Sequence, residues 1–356
     1  MGVVAAGAQP LGPRFSGTPW PEADALFHQD SRWLGADDAY SVDLGRGRVL
    51  WLFADTFVST SPAHTRREST MVRNSLGLER GYDPAHAAMS FYWKSAGGSP
   101  ASFFAEKPGV WFWPGDGIRL GNCLIVFLMR VESTPEAGAF GFREFGWDAV
   151  RIPNPDDDPS RWILQQLDCP QNPFGVIVGS GGVMADKGFL YAFSSLEPDA
   201  HDIFLIRWSL ASASAGDLRS PEWRDAGSSR WVSQKALRRL PAPVFRNGGT
   251  EFSIHFDAVT KRFLEFQTDG FGGVPIAVRD APALTGPWSE LRDGFLPPEA
   301  GRAQVFIYAG KAHPELRADG GDLVLTYATN SADLATVVDD STLYYPRFVK
   351  LTWARR

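Results

Sequence analysis

Three carboxylates stand at the start of strand-like segments far apart in the chain. They are Asp38 in Gly35-Ala36-Asp37-Asp38-Ala39-Tyr40, Asp116 in Trp113-Pro114-Gly115-Asp116-Gly117, and Glu251 in Gly248-Gly249-Thr250-Glu251-Phe252. Brought into one pocket, such a trio suits cleavage of a glycosidic bond. That reaction needs one carboxylic acid to protonate the leaving oxygen and a second carboxylate to act as base or nucleophile. A third negative group holds the proton on the acid by like-charge repulsion. Beside glycines, the same residue types also form turns and solvate strand ends, so the chemistry depends on whether the fold makes them converge.

Further polar groups stand near them. Asp55 directly follows the apolar run Val49-Leu50-Trp51-Leu52-Phe53-Ala54. A carboxylate there needs partners if it is buried, and it either orients Arg73 or Asn74 or contacts substrate. Asn330 occupies a similar place late in the chain, as a turn support or a ligand contact. Trp113 is the aromatic expected to face a pocket, where the apolar face of a sugar ring stacks on such side chains. His313, within Lys311-Ala312-His313-Pro314-Glu315, is read either as a channel-lining polar group or as a satisfied structural histidine.

Other chemistries lack their residues. No His pair has metalloprotease spacing, Gly179-Ser180-Gly181-Gly182 fits neither dinucleotide nor phosphate loops, and no nucleophile elbow occurs. No cofactor is expected, and a calcium ion near a central axis has no motif behind it. Cys123 and Cys169 are too few for a disulfide framework and are read as two thiols. A formal net charge of −6 removes the electrostatic case for nucleic acid and favours an uncharged or weakly polar ligand. No run is long and apolar enough to span a membrane. The absence of a leader makes a cytoplasmic location the expectation, with a periplasmic or secreted one left open.

The elements that must position these residues follow from a repeat. With 36 glycines, 26 prolines and 13% aromatic residues in 356, the composition is that of many short strands joined by turns. Five apolar runs, ending at Phe53, Phe127, Phe193, Phe266 and Tyr327, each follow a turn rich in Gly, Asp, Asn or Lys. Each is preceded by a run rich in small residues and followed by a third strand candidate. The markers lie 61 to 74 residues apart, too long for repeats of ~40–45 residues but suited to four-stranded blades with loop insertions. The expectation is an all-β, five-bladed β-propeller forming one domain over 1–356, with residues 1–25 a terminal extension. Equivalent ends of inner strands would then meet at one channel mouth, the natural ligand site.

Several of these segments resemble a bacterial group of five-bladed propellers known as domains of unknown function. The segments are Trp33-Leu34-Gly35 through Ser41, Leu50 through Phe57, Met71-Val72-Arg73-Asn74-Ser75, Trp113 through Gly117, Glu251-Phe252-Ser253, Lys311 through Glu315, and Tyr344 through Phe348. That group is similar to the arabinanases and xylosidases of glycoside hydrolase family 43 and to propellers acting on bacterial D-arabinan. The resemblance implies a carbohydrate substrate and hydrolysis of glycosidic, furanosidic bonds, with a carbohydrate-binding propeller as the alternative. It implies Asp38 as base, Asp116 as tuner and orienter, and Glu251 as acid. Because these roles carry over by blade position, Asp37 stays open in place of Asp38 and Asp55 as the partner. Ala54 stands where the relatives have Gly before the Asp-Thr pair.

Overall fold

The computed structural model describes residues 15–136, 141–198 and 201–354. Its framework is five antiparallel sheets in chain order. Sheet I comprises Tyr40–Gly45, Arg48–Phe53, Ser75–Arg80 and Ala88–Tyr92. Sheet II comprises Trp111–Leu120, Cys123–Ser133, Phe142–Ile152 and Gln165–Gln166. In sheet III, Val176–Ile177 and Val183–Asp186 both pair with Phe189–Leu196, which is followed by Asp202–Ser209, Glu222–Asp225 and Arg230–Ser233. Sheet IV comprises Ser253–Asp257, Arg262–Thr268, Ile276–Ala281 and Arg292–Phe295. Sheet V comprises Val305–His313, Leu323–Ser331 and Arg347–Trp353, joined by Phe15–Pro19 at its outer edge.

The continuous apolar runs have a simple cause: the second strand of each sheet is buried on both faces. In Arg48–Phe53, Val49, Trp51 and Phe53 pack with Val324 and Phe348 of sheet V, while Leu50 and Leu52 pack with Leu124 and Val126 of sheet II. In Cys123–Ser133 the same alternation sends Leu124, Val126 and Leu128 toward sheet I and Cys123, Ile125 and Phe127 toward sheet III. Separate cores join III to IV through Phe193 and Ile254, and IV to V through Phe266 and Leu325. The succession of cores is therefore cyclic, each sheet packing on the next and the fifth on the first. Phe27 reinforces the last junction, stacking on Phe348 at 5.1 Å and meeting Trp51 edge-on at 5.1 Å.

The hairpin turns adopt left-handed backbone where the sequence supplies glycine. Gly45, Arg46 and Gly47 all have positive φ, and two of the three carry no side chain that would resist it.

One boundary differs from the sequence expectation. Phe15–Pro19, within the stretch read as a terminal extension, pairs with Arg347–Trp353 along its whole length. The alternation in Phe-Ser-Gly-Thr-Pro is too short to stand out before its partner strand is known, and Gly17 is where a Cβ would strike the Phe295 ring at 2.6 Å. Residues 1–14 lie outside the described residues. Both cysteines are free thiols, Cys123 buried and Cys169 half-buried.

Candidate active site

The first strands of sheets I and II, II and III, III and IV, and IV and V contact one another in turn, and two β-bulges decide which of their side chains share a cavity. In Trp111–Leu120 the register slips between Pro114 and Gly117; in Val305–His313 it slips between Tyr308 and Lys311. A bulge re-aims the side chains that follow it. Trp113 and Tyr308, before their bulges, line a cavity of about 1100 Å³. Asp116, within the first bulge, and Lys311 and His313, after the second, line a second cavity of about 230 Å³.

The large cavity is bordered by four carboxylates: Asp37, Asp55, Glu144 and Glu251. Asp37 and Asp38 are neighbours that point to different places because Asp38 and Ala39 both take left-handed backbone, with φ of 71° and 58°. For residues with a Cβ such angles are strained, and they cluster at functional sites. Asp37 reaches the large cavity, whereas Asp38 is 1% exposed and lines neither cavity.

Asp37 Oδ2 accepts hydrogen bonds from the Tyr308 hydroxyl at 2.7 Å and the Tyr344 hydroxyl at 3.1 Å; Oδ1 is shielded and has no partner. Loss of solvent, then the charges of Asp55 and Glu251, push Asp37 up to about 8, against the two hydroxyl donors. Burial holds both tyrosines well above the ordinary phenol range, so they stay donors. Asp55 is fixed by Arg73 Nη1 at 3.0 Å on Oδ2 and by Trp113 Nε1 at 2.9 Å on Oδ1. Its pKa is raised by burial, with Arg73 and Trp113 opposing. Burial, with the charges of Glu197 and Glu251, lifts Glu144 to about 7.

Glu251 sits where the two cavities approach each other. Lys311 Nζ donates to Glu251 Oε2 at 2.6 Å and to the Asp38 carbonyl at 2.5 Å, and lies 3.2 Å from Asp38 Oδ1. Lys311 and Asp38 are each 1% exposed, so this is a desolvated ion pair with Glu251 at its open end. Burial and the Glu251 charge raise Asp38 while Lys311 opposes them.

Asp38 and Glu251 meet through Lys311, while Asp116 shares the second cavity with Lys311 without bonding to it. Both Asp116 oxygens accept backbone N–H groups, of Gly117 and Val183, each at 2.7 Å, and burial still lifts it to about 7. Of the expected binding residues, Asp55, Arg73, Trp113 and Asn330 line the large cavity. Asn74 does not; its amide spans the Phe104 and Phe112 carbonyls and the Phe104 N–H. Nor does His313, which lines the second cavity and whose ring nitrogens meet Ser41 Oγ at 2.6 Å and Thr326 Oγ1 at 2.7 Å. Burial drops its pKa to about 3. Among the described residues, no three or more His, Cys, Asp or Glu side chains are grouped to hold a metal ion. No helix among them is long and apolar enough to cross a membrane.

A family described as a domain of unknown function, DUF5005, matches residues 22–353. The chain belongs to the DUF5005 family. No curated protein sequence matches it. Among solved structures it is similar to a Bacteroides ovatus protein named as a candidate hydrolase, at 15% identity and a TM-score of 0.74, over 95% of this chain and 90% of that one. It is also similar to the catalytic domain of a Coprinopsis cinerea family GH62 α-L-arabinofuranosidase, at 13% identity and a TM-score of 0.53, over 96% and 97% of the two chains. The α-L-arabinofuranosidase of Podospora anserina, solved with cellotriose, gives 12%, 0.51, and 96% and 97%. At these identities the likeness is one of fold: this DUF5005 chain has a mostly β architecture of the propeller type found in glycoside hydrolases.

Sequence reasoning passed over Glu144, Phe142, Phe271, Phe306 and Tyr308, all at the large cavity of this DUF5005 chain. Phe142 and Glu144 open the third strand of sheet II, Phe142–Ile152, and Phe306 and Tyr308 precede a bulge that no composition signal announces. Tyr344 stood within a family-like segment but carried no assigned role.

Proposed function

We propose that this chain is a glycoside hydrolase acting on furanosidic bonds, with the five sheets as blades of a five-bladed propeller and the large cavity at one channel mouth. The blade reading is supported by the cyclic order of the cores and by Phe15–Pro19 completing the last sheet. The observation that carries the functional reading is Asp37, a carboxyl kept protonated near neutrality on the cavity wall, with the carboxylate of Asp55 nearby. Burial raises both carboxyls, but Asp55 has the Arg73 guanidinium and Trp113 N–H opposing that rise, which suits it to the base beside Asp37 as the acid.

Asp37, raised to about 8, carries the acid's proton near neutrality. That proton passes to the glycosidic oxygen as the bond from the anomeric carbon to that oxygen breaks. Asp55, held by Arg73 and Trp113, removes a proton from the water that attacks the anomeric carbon, so the product is inverted. Glu251 adds the negative charge that keeps Asp37 protonated. Asp38 holds Lys311, and through it Glu251, in place. Asp116 takes a structural role.

Sugar release by the purified protein from arabinans, xylans, fructans and aryl glycosides tests this, beside Asp37→Asn and Asp55→Asn. Loss of about 10²–10⁴-fold in kcat in each folded variant is expected. The aromatic lining favours one other reading, a carbohydrate-binding module; sugar binding without release by the parent protein selects it.

A further inference from the structure

A small three-stranded sheet lies outside the five: Trp33–Ala36, Thr56–Ser59 and Ser69–Val72, in that order. Ala36 pairs with Thr56 and Thr56 with Val72, which makes one row across its end. The residues that continue the chain from that row are Asp37, Asp55 and Arg73, and all three line the large cavity. This sheet therefore sets the acid, the base and the base's cation side by side. It does not carry Tyr344, the second donor on Asp37 Oδ2, which comes from just before the last strand of sheet V, 307 positions along the chain from Asp37.

Arg66 bridges the two. It stands in the connection between the second and third strands of the small sheet and is 7% exposed. Backbone carbonyls receive its N–H groups: Nε donates to Leu34 at 2.7 Å, Nη1 to Val337 at 2.6 Å and Asp340 at 3.1 Å, and Nη2 to Leu343 at 2.6 Å. Leu34 leads through Gly35 and Ala36 to Asp37, and Leu343 immediately precedes Tyr344, so one guanidinium holds both ends of the Tyr344–Asp37 hydrogen bond. Val337 belongs to the short helix Leu334–Asp339 and itself lines the cavity. A planar fork of N–H groups can span these carbonyls, whereas an ammonium is a point charge on a flexible stem.

Tyr344 needs such a hold. Its backbone is left-handed, with φ of 63°, a conformation an aromatic residue resists unless its surroundings over-determine it. Its N–H donates to the Thr329 carbonyl at 2.9 Å and its ring meets Phe57 edge-on at 5.4 Å, while Arg66 fixes the carbonyl that precedes it. Arg66 also lies over the Phe57 and Tyr345 rings, at 5.5 Å and 5.2 Å. Packing here is tight enough that a Cβ on Gly35 would lie 2.9 Å from Arg66 Nη2.

Resting on the hydrolase reading above, we propose that Arg66 is a positioning residue that holds Tyr344 on Asp37, fastening the sheet that sets the two reacting carboxyls to the segment that carries the acid's donor. It acts through Tyr344. Asp55 and Glu251 face Asp37 as charges, and Tyr308 and Tyr344 face it as donors; of the four, Tyr344 is the one whose preceding carbonyl Arg66 holds. The Tyr344 hydroxyl favours the ionised carboxyl, so releasing it moves the alkaline limb of activity upward.

The test is the pH dependence of kcat/KM for sugar release by the parent, Arg66→Lys, Arg66→Ala, Tyr344→Phe and the double variant Arg66→Lys with Tyr344→Phe, each checked for folding by circular dichroism. Arg66→Lys and Tyr344→Phe should each raise the alkaline limb by about one pH unit, the size of one hydrogen bond to a carboxylate. The double variant should move no further than Tyr344→Phe alone, because both changes remove the same contact. Millimolar guanidinium should return Arg66→Ala toward the parent profile. Arg66→Lys carries the test where the alanine variant does not fold. An alkaline limb unmoved in Arg66→Lys, or shifts that add in the double variant, overturns the proposal and leaves the hydrolase reading standing. No sugar release by the parent from any polysaccharide or aryl glycoside removes the hydrolase reading and this proposal with it.

Discussion

Tyr308 donates its hydroxyl to Asp37 Oδ2 across 2.7 Å and accepts a hydrogen bond from Asn330 Nδ2 at 3.2 Å. The relay fixes which carboxyl oxygen is occupied and joins a residue of the last sheet to one that precedes the first. It also opposes, without overcoming, the desolvation that keeps Asp37 protonated.

Activity should fall on the alkaline side as pH passes about 8, where the Asp37 proton is lost. The acid limb reports Asp55 and should lie above the ordinary aspartate value of 3.8, because burial raises it. Tyr308→Phe removes a donor that favours the ionised carboxyl, so its alkaline limb should move upward. A kcat/KM profile of parent and variant measures both limbs; an unmoved alkaline limb in Tyr308→Phe assigns the proton elsewhere.

The same group should weaken the fold at high pH. The folded pKa of about 8 exceeds the unfolded value of 3.8, so the folded state binds more protons between them. Stability therefore declines as pH rises through that window and levels above it. Glu79, raised to about 8, and Glu315, raised to about 7, add to the trend. Asp37→Asn should flatten part of the decline and exceed the parent in melting temperature at pH 9 while losing activity. Calorimetric melting from pH 5 to 9 reads the slope.

Lys311→Met should destabilise by about 3–5 kcal/mol, since it leaves the Asp38 carboxyl buried without its cation. Asp116→Asn should cost about 1–3 kcal/mol, because an amide cannot accept both the Gly117 and Val183 N–H groups. Its kcat should stay near the parent's, whereas that of Lys311→Met should not, because Glu251 is set adrift. Urea unfolding beside steady-state kinetics separates the two effects.

Gly35→Ala should lose about 3 kcal/mol or more, read from the urea midpoint. Gly35 has φ of 111°, and a Cβ there would lie 2.2 Å from the Tyr344 carbonyl oxygen. The clash would also push Tyr344 from Asp37, so surviving activity should show an altered pH profile.

Much of this architecture was legible because burial on both faces of a strand writes an unbroken apolar run, as in Val49–Phe53 and Cys123–Phe127. The same runs located the hairpins and their first strands. The site was legible less evenly. Asp55, Arg73, Trp113 and Asn330 stand next to such runs and reach the cavity. Asp37 and Asp38 could not be told apart by position, since the choice rests on two left-handed residues with no glycine to announce them. Asp116 was displaced by a bulge, and bulges leave no reliable trace in composition.

Pairing of Phe15–Pro19 with Arg347–Trp353 has a consequence for how the chain reaches this structure. The contact joins residues more than 300 positions apart, so during synthesis sheet V lacks its third strand until Trp353 has left the ribosome. Sheets I to IV can form in order as they emerge, but the junction of V with I, where Phe348 meets Phe27 and Trp51, waits for the strand Arg347–Trp353. The emerging first strand must stay unpaired until then, which makes this edge the point at which a stalled or truncated chain would pair with a neighbour instead.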